Sequence, residues 1–224
     1  MDRTTNRKVG KYEVIGKVAQ GGMGALYKAR HPTLNRIVLL KRLDLRGVGG
    51  AVERFRREAR LMMDFKHEQI VHVYDHFKEG SSYYIVEEFV DGLEITVAVF
   101  EDYRKRHTFL GQKVFGFMPD GKHSFTSLES YDHKDAYHYV LVEDGKLGRK
   151  ITRYAEQAFS ALRNHDYAKF DVRVDAASGN PFFIDANPNT AFGPSLGLPF
   201  TEVLALNGVA FSDVLASLIS KYAR

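Results

Sequence analysis

The order of apolar and polar positions splits the chain into two stretches with different grammar. In the first, short apolar runs predict strands over Tyr12–Ala19, Ala25–Arg30 and Arg36–Leu43. The first two flank the turn Gln20-Gly21-Gly22-Met23-Gly24. Gly49-Gly50 then releases a helix, on which Val52, Phe55, Ala59, Met62 and Met63 recur near helical spacing. Val71–Phe77 and Tyr83–Phe89 read as two further strands around Glu79-Gly80-Ser81-Ser82. Five strands and one helix predict an antiparallel sheet with a single covering helix.

The second stretch opens with a strand over Glu94–Phe100. Residues 101–147 are polar and aromatic, with no period clear enough to place elements. Ile151, Tyr154, Ala155, Ala158, Phe159 and Leu162 follow the spacing of an amphipathic helix over Ile151–Leu162. Phe170–Asp175 and Pro181–Asn187 predict a hairpin, and a last helix carries Val214, Leu215, Leu218, Ile219 and Tyr222 on one face. No Pro/Ser linker separates the stretches, so two directly packed parts are expected, residues 1–90 and 91–224.

Composition narrows the function classes. The chain has 224 residues, 44% hydrophobic and 27% charged, which excludes a disordered polymer. It has no cysteine, which excludes a disulfide scaffold, a thiolate metal site and a cysteine nucleophile. No apolar run is long enough for a membrane helix, and the start does not read as a signal peptide, so a cytoplasmic protein without membrane contact is expected. Basic side chains outnumber acidic ones 17 to 12 in residues 1–92, against 15 to 16 in residues 93–224. That asymmetry marks two units but is too small to predict nucleic-acid binding.

Candidate chemistry in the first stretch is a phosphate grip. Glycines in a turn between strands let backbone amides approach an anion, which marks Gly21, Gly22 and Gly24, although a plain hairpin turn fits equally. Lys41 lies on an apolar strand between Leu39 and Leu43, and a half-buried ammonium needs an anionic partner. Glu58, on the helix near Phe55 and Met62, is the candidate; separate exposure of the two remains the alternative. With AQGGMGALYKA, IVLLK, RFRREARLM, HEQIVHVYDHF and YYIVEEFVDG in this order, residues 12–91 resemble the N-terminal lobe of a bacterial Ser/Thr protein kinase. The resemblance implies that Lys41 binds the α- and β-phosphates of ATP and pairs with Glu58, both as catalytic residues. Ala19 stands at the first loop glycine and Leu39 at a usual alanine. No His-Arg-Asp, Asp-Phe-Gly or Ala-Pro-Glu motif follows, so the chain is not expected to be a complete kinase.

The second stretch carries carboxylates. If Asp175 faces Pro181 in the predicted hairpin, Asp171 faces Asp185 and Lys169 faces Asn187. Opposed carboxylates on one sheet face repel, and a divalent cation between them removes the penalty. Asn187 supplies a third oxygen, and an all-oxygen set suits Mg²⁺ or Mn²⁺. Solvated aspartates on an exposed hairpin are the alternative. EEFVDGLEITVAVF, DVRVDAASGNPFFIDANPN and GLPFTEVLALNGVAFSDVLASLI resemble the ATP-grasp superfamily over residues 86–224, and within it the C-terminal domain of D-alanine–D-alanine ligases. By this resemblance Glu87 accepts the adenine amino group, Val90 offers its backbone amide and Glu94 binds the ribose hydroxyls. Asp171, Asp185 and Asn187 then hold magnesium, and catalytic Lys169 contacts phosphate or an acyl phosphate. Lys169, Asp185 and Ala191 stand where that family often has arginine, glutamate and glycine.

Together the resemblances imply an α+β fold with a two-lobed nucleotide cleft. A kinase-like sheet with one helix packs on an ATP-grasp-like domain, and the two join at Glu87–Glu94. Such a join arises by natural fusion or by construction, and a built chimera fits the interchangeable crossover point better. The leading expectation is Mg-ATP binding without efficient ligase turnover. The alternatives are a ligase acting on a small carboxylate or D-amino acid, a weak ATPase or phosphotransferase, and a folded scaffold that binds no nucleotide.

Overall fold

The computed structural model describes residues 7–21, 24–43, 51–115, 137–188, 190–193 and 197–223, without the side chains of residues 19–21, 51, 54, 58 and 61. The strands are β1 Arg7–Val9, β2 Tyr12–Gly21, β3 Gly24–Arg30, β4 Ile37–Leu43, β5 Val73–Glu79, β6 Ser82–Glu88, β7 Gly92–Glu101, β8 Arg106–Phe115, β9 Tyr137–Val140, β10 Tyr167–Asp175 and β11 Pro181–Asn187. The helices are α1 Ala51–Asp64, α2 Gly145–Ala161, α3 Pro199–Leu206 and α4 Phe211–Tyr222. The described residues form two compact units, one up to Val90 and the other from Asp91 onward. The fold class is α+β, with an antiparallel sheet in each unit.

The sheet of the first unit runs β1-β2-β3-β4-β6-β5. Strand alternation gives it two apolar faces. One buries Val9, Tyr12, Val14, Ala29, Val38, Leu40, Tyr84 and Val86. The other packs Val73, Tyr83, Ile85 and Leu43 against Phe55, Val52 and Met63 of α1. Among the described residues the sheet has six strands rather than five. The extra one, β1, is three residues long and only Val9 of it is buried, so alternation had too few positions to register.

The sheet of the second unit runs β11-β10-β7-β8-β9, with β7 in the centre. Ala98 and Phe100 of β7 join Phe200, Val203, Leu204 and Val214 in a core beneath α3 and α4. The opposite face is covered by α2, which buries Ile151, Ala155 and Phe159 and whose Glu156 accepts a hydrogen bond from Thr108 of β8. This helix starts six residues before the predicted Ile151 (at Gly145). Asp144 caps it by accepting from the amides of Lys146 and Leu147, so the cap rather than apolar spacing sets the boundary. The unplaced stretch from residue 101 supplies β8 and β9. Of the apolar stripe expected on the last helix only Val214 is buried; Leu215, Ile219 and Tyr222 are exposed. Among the described helices none alone is long and apolar enough to cross a membrane.

Candidate functional site

In the first unit, Gly21 and Gly24 face each other across the end of the β2–β3 hairpin, and Gly22 lies outside the described residues. Gly24 is fixed by close approach: a Cβ there would stand 1.8 Å from the Arg42 carbonyl oxygen. Lys41 sits on β4 with Leu26 and Ile85 as its cross-strand neighbours. It is half-buried and shares the α1-covered face with Leu43 and Ile85. Glu58 lies on α1, but its side chain is outside the described set, so the expected pair with Lys41 is not among the described contacts. Leu39 stands directly between Lys28 and Glu87 in one cross-strand row. Glu87 and Val90 are both buried, and the Lys28 ammonium lies 4.4 Å from the centre of the Phe89 ring.

In the second unit, the hairpin brings the predicted metal residues together by a route that differs from the expected one. Pro181 faces Val174, not Asp175. Left uncorrected, that register would place Asp171 opposite Ile184. The register instead shifts between Val172↔Phe183 and Asp171↔Asp185, leaving Ile184 as the extra residue of a β-bulge. Beyond the bulge, Asp171 faces Asp185 and Lys169 faces Asn187, as expected.

The Asp171 carboxylate accepts hydrogen bonds from the Lys169 ammonium and from Thr96 Oγ1, the latter at 3.3 Å. Burial pushes its carboxyl above the usual carboxylate range, against the opposing pull of the Lys169 charge. Asp185 is exposed, and its carboxylate accepts from the Ala186 amide at 3.0 Å and from Asn187 Nδ2 at 2.9 Å. Two carboxylates and an amide are hard oxygen donors that fit Mg²⁺, which takes one or two carboxylates and completes its shell with phosphate and water. Among the described residues no cluster of three or more His, Cys, Asp or Glu side chains forms a metal cage.

Glu94 occupies the same sheet face, opposite Arg173 on β10 and Lys113 on β8. Its Oε1 accepts from Lys113 Nζ and its Oε2 from Arg173 Nη2, each at 2.8 Å. All three side chains are at most 7% exposed. Arg173 Nη1 also donates to the Gly92 carbonyl oxygen at 3.2 Å. Thr96 links Asp171 to the Tyr139 hydroxyl, and the Lys113 ammonium lies 4.9 Å from the centre of the Tyr137 ring and 5.7 Å from that of Tyr139. Lys113, Arg173, Thr96 and Tyr139 escaped the sequence reading. Only Arg173 left a signal, a charge inside the apolar run Phe170–Val174.

Comparison with known proteins gives the two parts different relatives. The protein kinase domain model matches residues 12–119, and the D-ala D-ala ligase C-terminus model matches residues 66–220. Over 85 residues the chain is 38% identical to the serine/threonine-protein kinase pkn2 of Myxococcus xanthus, covering 37% of this chain and 10% of that protein. It is 36% identical over 88 residues to PrkC of Bacillus subtilis, covering 38% of this chain and 14% of that protein. It is 37% identical over 93 residues to PknF of Mycobacterium tuberculosis, covering 41% and 19%. The chain thus spans less than a fifth of the length of these relatives. The solved kinase domain of M. tuberculosis PknI aligns with a TM-score of 0.38 and 24% identity, over 42% of this chain and 39% of that one. The two-part make-up expected from the motifs holds: bacterial Ser/Thr kinases on one side, D-ala D-ala ligases on the other.

Proposed function

The chain belongs to the D-ala D-ala ligase C-terminus family, and on that premise we propose that it binds Mg-ATP without efficient ligase turnover. Both families that it matches generally use ATP with magnesium. The observation that carries the reading is the single face of the second sheet. It presents Asp171 opposite Asp185, Lys169 opposite Asn187, and Glu94 two residues along β7 from Thr96 on the same face.

On this reading Asp171, Asp185 and Asn187 hold the cation, which supplies charge neutralisation at the phosphates. Lys169 is the fixed positive charge beside them, a point charge rather than a bidentate fork. Glu94 is assigned to the ribose hydroxyls. Glu87 and Val90 are assigned to the adenine amino group and ring, and Lys41 with the amides of Gly21, Gly22 and Gly24 to phosphate. Positioning and charge neutralisation would supply most of any rate.

Isothermal titration with ATP and Mg²⁺ tests this. Asp171→Asn is expected to weaken binding roughly tenfold or more, because a charged contact is lost. Absence of any Mg-ATP binding by the unaltered chain refutes the reading and leaves the scaffold alternative, which the register of Leu39 directly between Lys28 and Glu87 supports.

The family match favours one second reading, carboxylate–amine ligation. There the γ-phosphoryl group passes to a carboxylate oxygen, giving ADP and an acyl phosphate. An amine nitrogen then attacks the acyl carbon, phosphate leaves with the bonding pair, and the amine proton goes to solvent. ADP release that is equal with and without D-alanine excludes this chemistry and leaves at most an ATPase.

A further inference from the structure

We propose that Thr96 is a positioning residue that holds the Asp171 carboxylate in place for the cation of Mg-ATP. The inference rests on the reading of Asp171 as a magnesium ligand.

The support is one cross-strand row. Asp185, Asp171, Thr96 and Gly111 stand opposite one another on β11, β10, β7 and β8. Thr96 is fully buried on the central strand. Its Oγ1 donates to Asp171 Oδ1 at 3.3 Å, while the Lys169 ammonium donates to Oδ2. An ionised carboxylate only accepts, so the proton in the first contact is the threonine's. With a donor on each oxygen, turning the carboxylate about its last bond breaks both contacts.

The far side of Thr96 is occupied as well. Its Oγ1 lies 3.1 Å from the Tyr139 hydroxyl. Tyr139 belongs to β9, beyond β8, and Gly111 of β8 lies between the two strands in this row. A Cβ at Gly111 would stand 3.0 Å from Tyr139 Cδ1 and 2.7 Å from Val203 Cγ2. The tyrosine ring therefore packs where a β8 side chain would otherwise stand. The threonine hydroxyl has a polar partner on each side, and its β-branch restricts χ1 further.

The row meets solvent at its β11 end. The Asp171 side chain is 17% exposed and that of Lys169 12%, and Asp185 opposite is exposed on the edge strand of the described sheet. Thr96, at the buried end, acts only through Asp171. Mg²⁺ demands near-ideal octahedral geometry, so a ligating carboxylate that is already held loses less on binding it.

Isothermal titration of the full chain with ATP and Mg²⁺ tests this. Thr96→Val keeps the branched shape and removes the hydroxyl, and is expected to weaken binding roughly tenfold, the scale of a lost partner behind a metal ligand. Thr96→Ser, which keeps the hydroxyl, is expected to stay within about threefold of the unaltered chain. Added to Asp171→Asn, Thr96→Val is expected to cost less than about twofold more, because its effect passes through the missing carboxylate. Thermal melting confirms folding; if Thr96→Val does not fold, Thr96→Ala takes its place. An unaltered chain that binds no Mg-ATP overturns the magnesium reading and the inference with it. With binding present, Thr96→Val within about twofold of the unaltered chain overturns the inference alone. So does Thr96→Ser as weak as Thr96→Val, or a Thr96→Val loss that persists at full size beside Asp171→Asn. Where Asp171→Asn binds too weakly to titrate, the serine comparison decides.

Discussion

Replacing Glu94 with glutamine probes the buried Lys113–Glu94–Arg173 group through stability, independently of any ligand. The side chain keeps its shape, but one oxygen becomes an amide that points its own hydrogens at a cation. Both cations lose the charge opposite them while remaining at most 4% exposed. Removing one partner of a buried ion pair costs about 3–5 kcal/mol, because the remaining charge stays desolvated. Two charge-assisted contacts at 2.8 Å, at roughly 1.5–3 kcal/mol each, lead to the same range. Urea unfolding followed by far-UV circular dichroism is the assay, since the chain has no tryptophan. With a slope of about 3 kcal/mol/M, the transition of the second unit should fall by about 1–1.7 M at unchanged slope. The reasoning makes a second demand. The triple variant Glu94→Leu, Lys113→Met, Arg173→Met removes the charges together and should recover most of the loss, because a buried ion group contributes little against packed apolar side chains. A Glu94→Gln midpoint equal to that of the unaltered protein, or a triple variant as unstable as the single one, would refute the account.

Two further outcomes follow from local geometry. Gly92→Ala would place a Cβ 1.8 Å from the Val174 carbonyl oxygen, so β7 and β10 must separate where they begin to pair. A loss of about 2 kcal/mol or more is expected in the same urea assay, and a loss below about 0.5 kcal/mol would contradict it. Asp102, in the β7–β8 turn, accepts from His107 Nε2 at 2.8 Å and from the amides of Arg104 and Lys105, and the His107 contact leads in holding its carboxyl down to about 2. Its contribution is therefore complete above about pH 4 and lost as pH falls through about 2, so the stability gap to Asp102→Asn should close across that window. A gap independent of pH would show that the turn gains nothing from the charge.

Legibility in the sequence followed the range of the interactions involved. The strands of the first unit were readable because each faces an apolar cluster on alternate residues, and β1 was lost because three residues cannot display a period. The boundary of α2 was missed because the Asp144 cap acts without any apolar repeat. The opposed Asp171 and Asp185 were found from a hairpin register that fails next to the loop. The bulge at Ile184 restored it, and nothing local in Pro181–Asn187 announces a bulge.

By itself the sequence determined the α+β class, the glycine turn ahead of Lys41, the carboxylate hairpin and the two-family make-up. All of these rest on spacing along one segment or on ordered motifs. Tertiary structure alone decided which charges flank Glu94. Lys113 and Arg173 lie 19 and 79 residues from Glu94, and only the strand order β10-β7-β8 sets one on each side of it. Periodicity reports which face a side chain occupies. Strand order and register report what stands opposite, and those are fixed by hydrogen bonding between segments that do not encode one another.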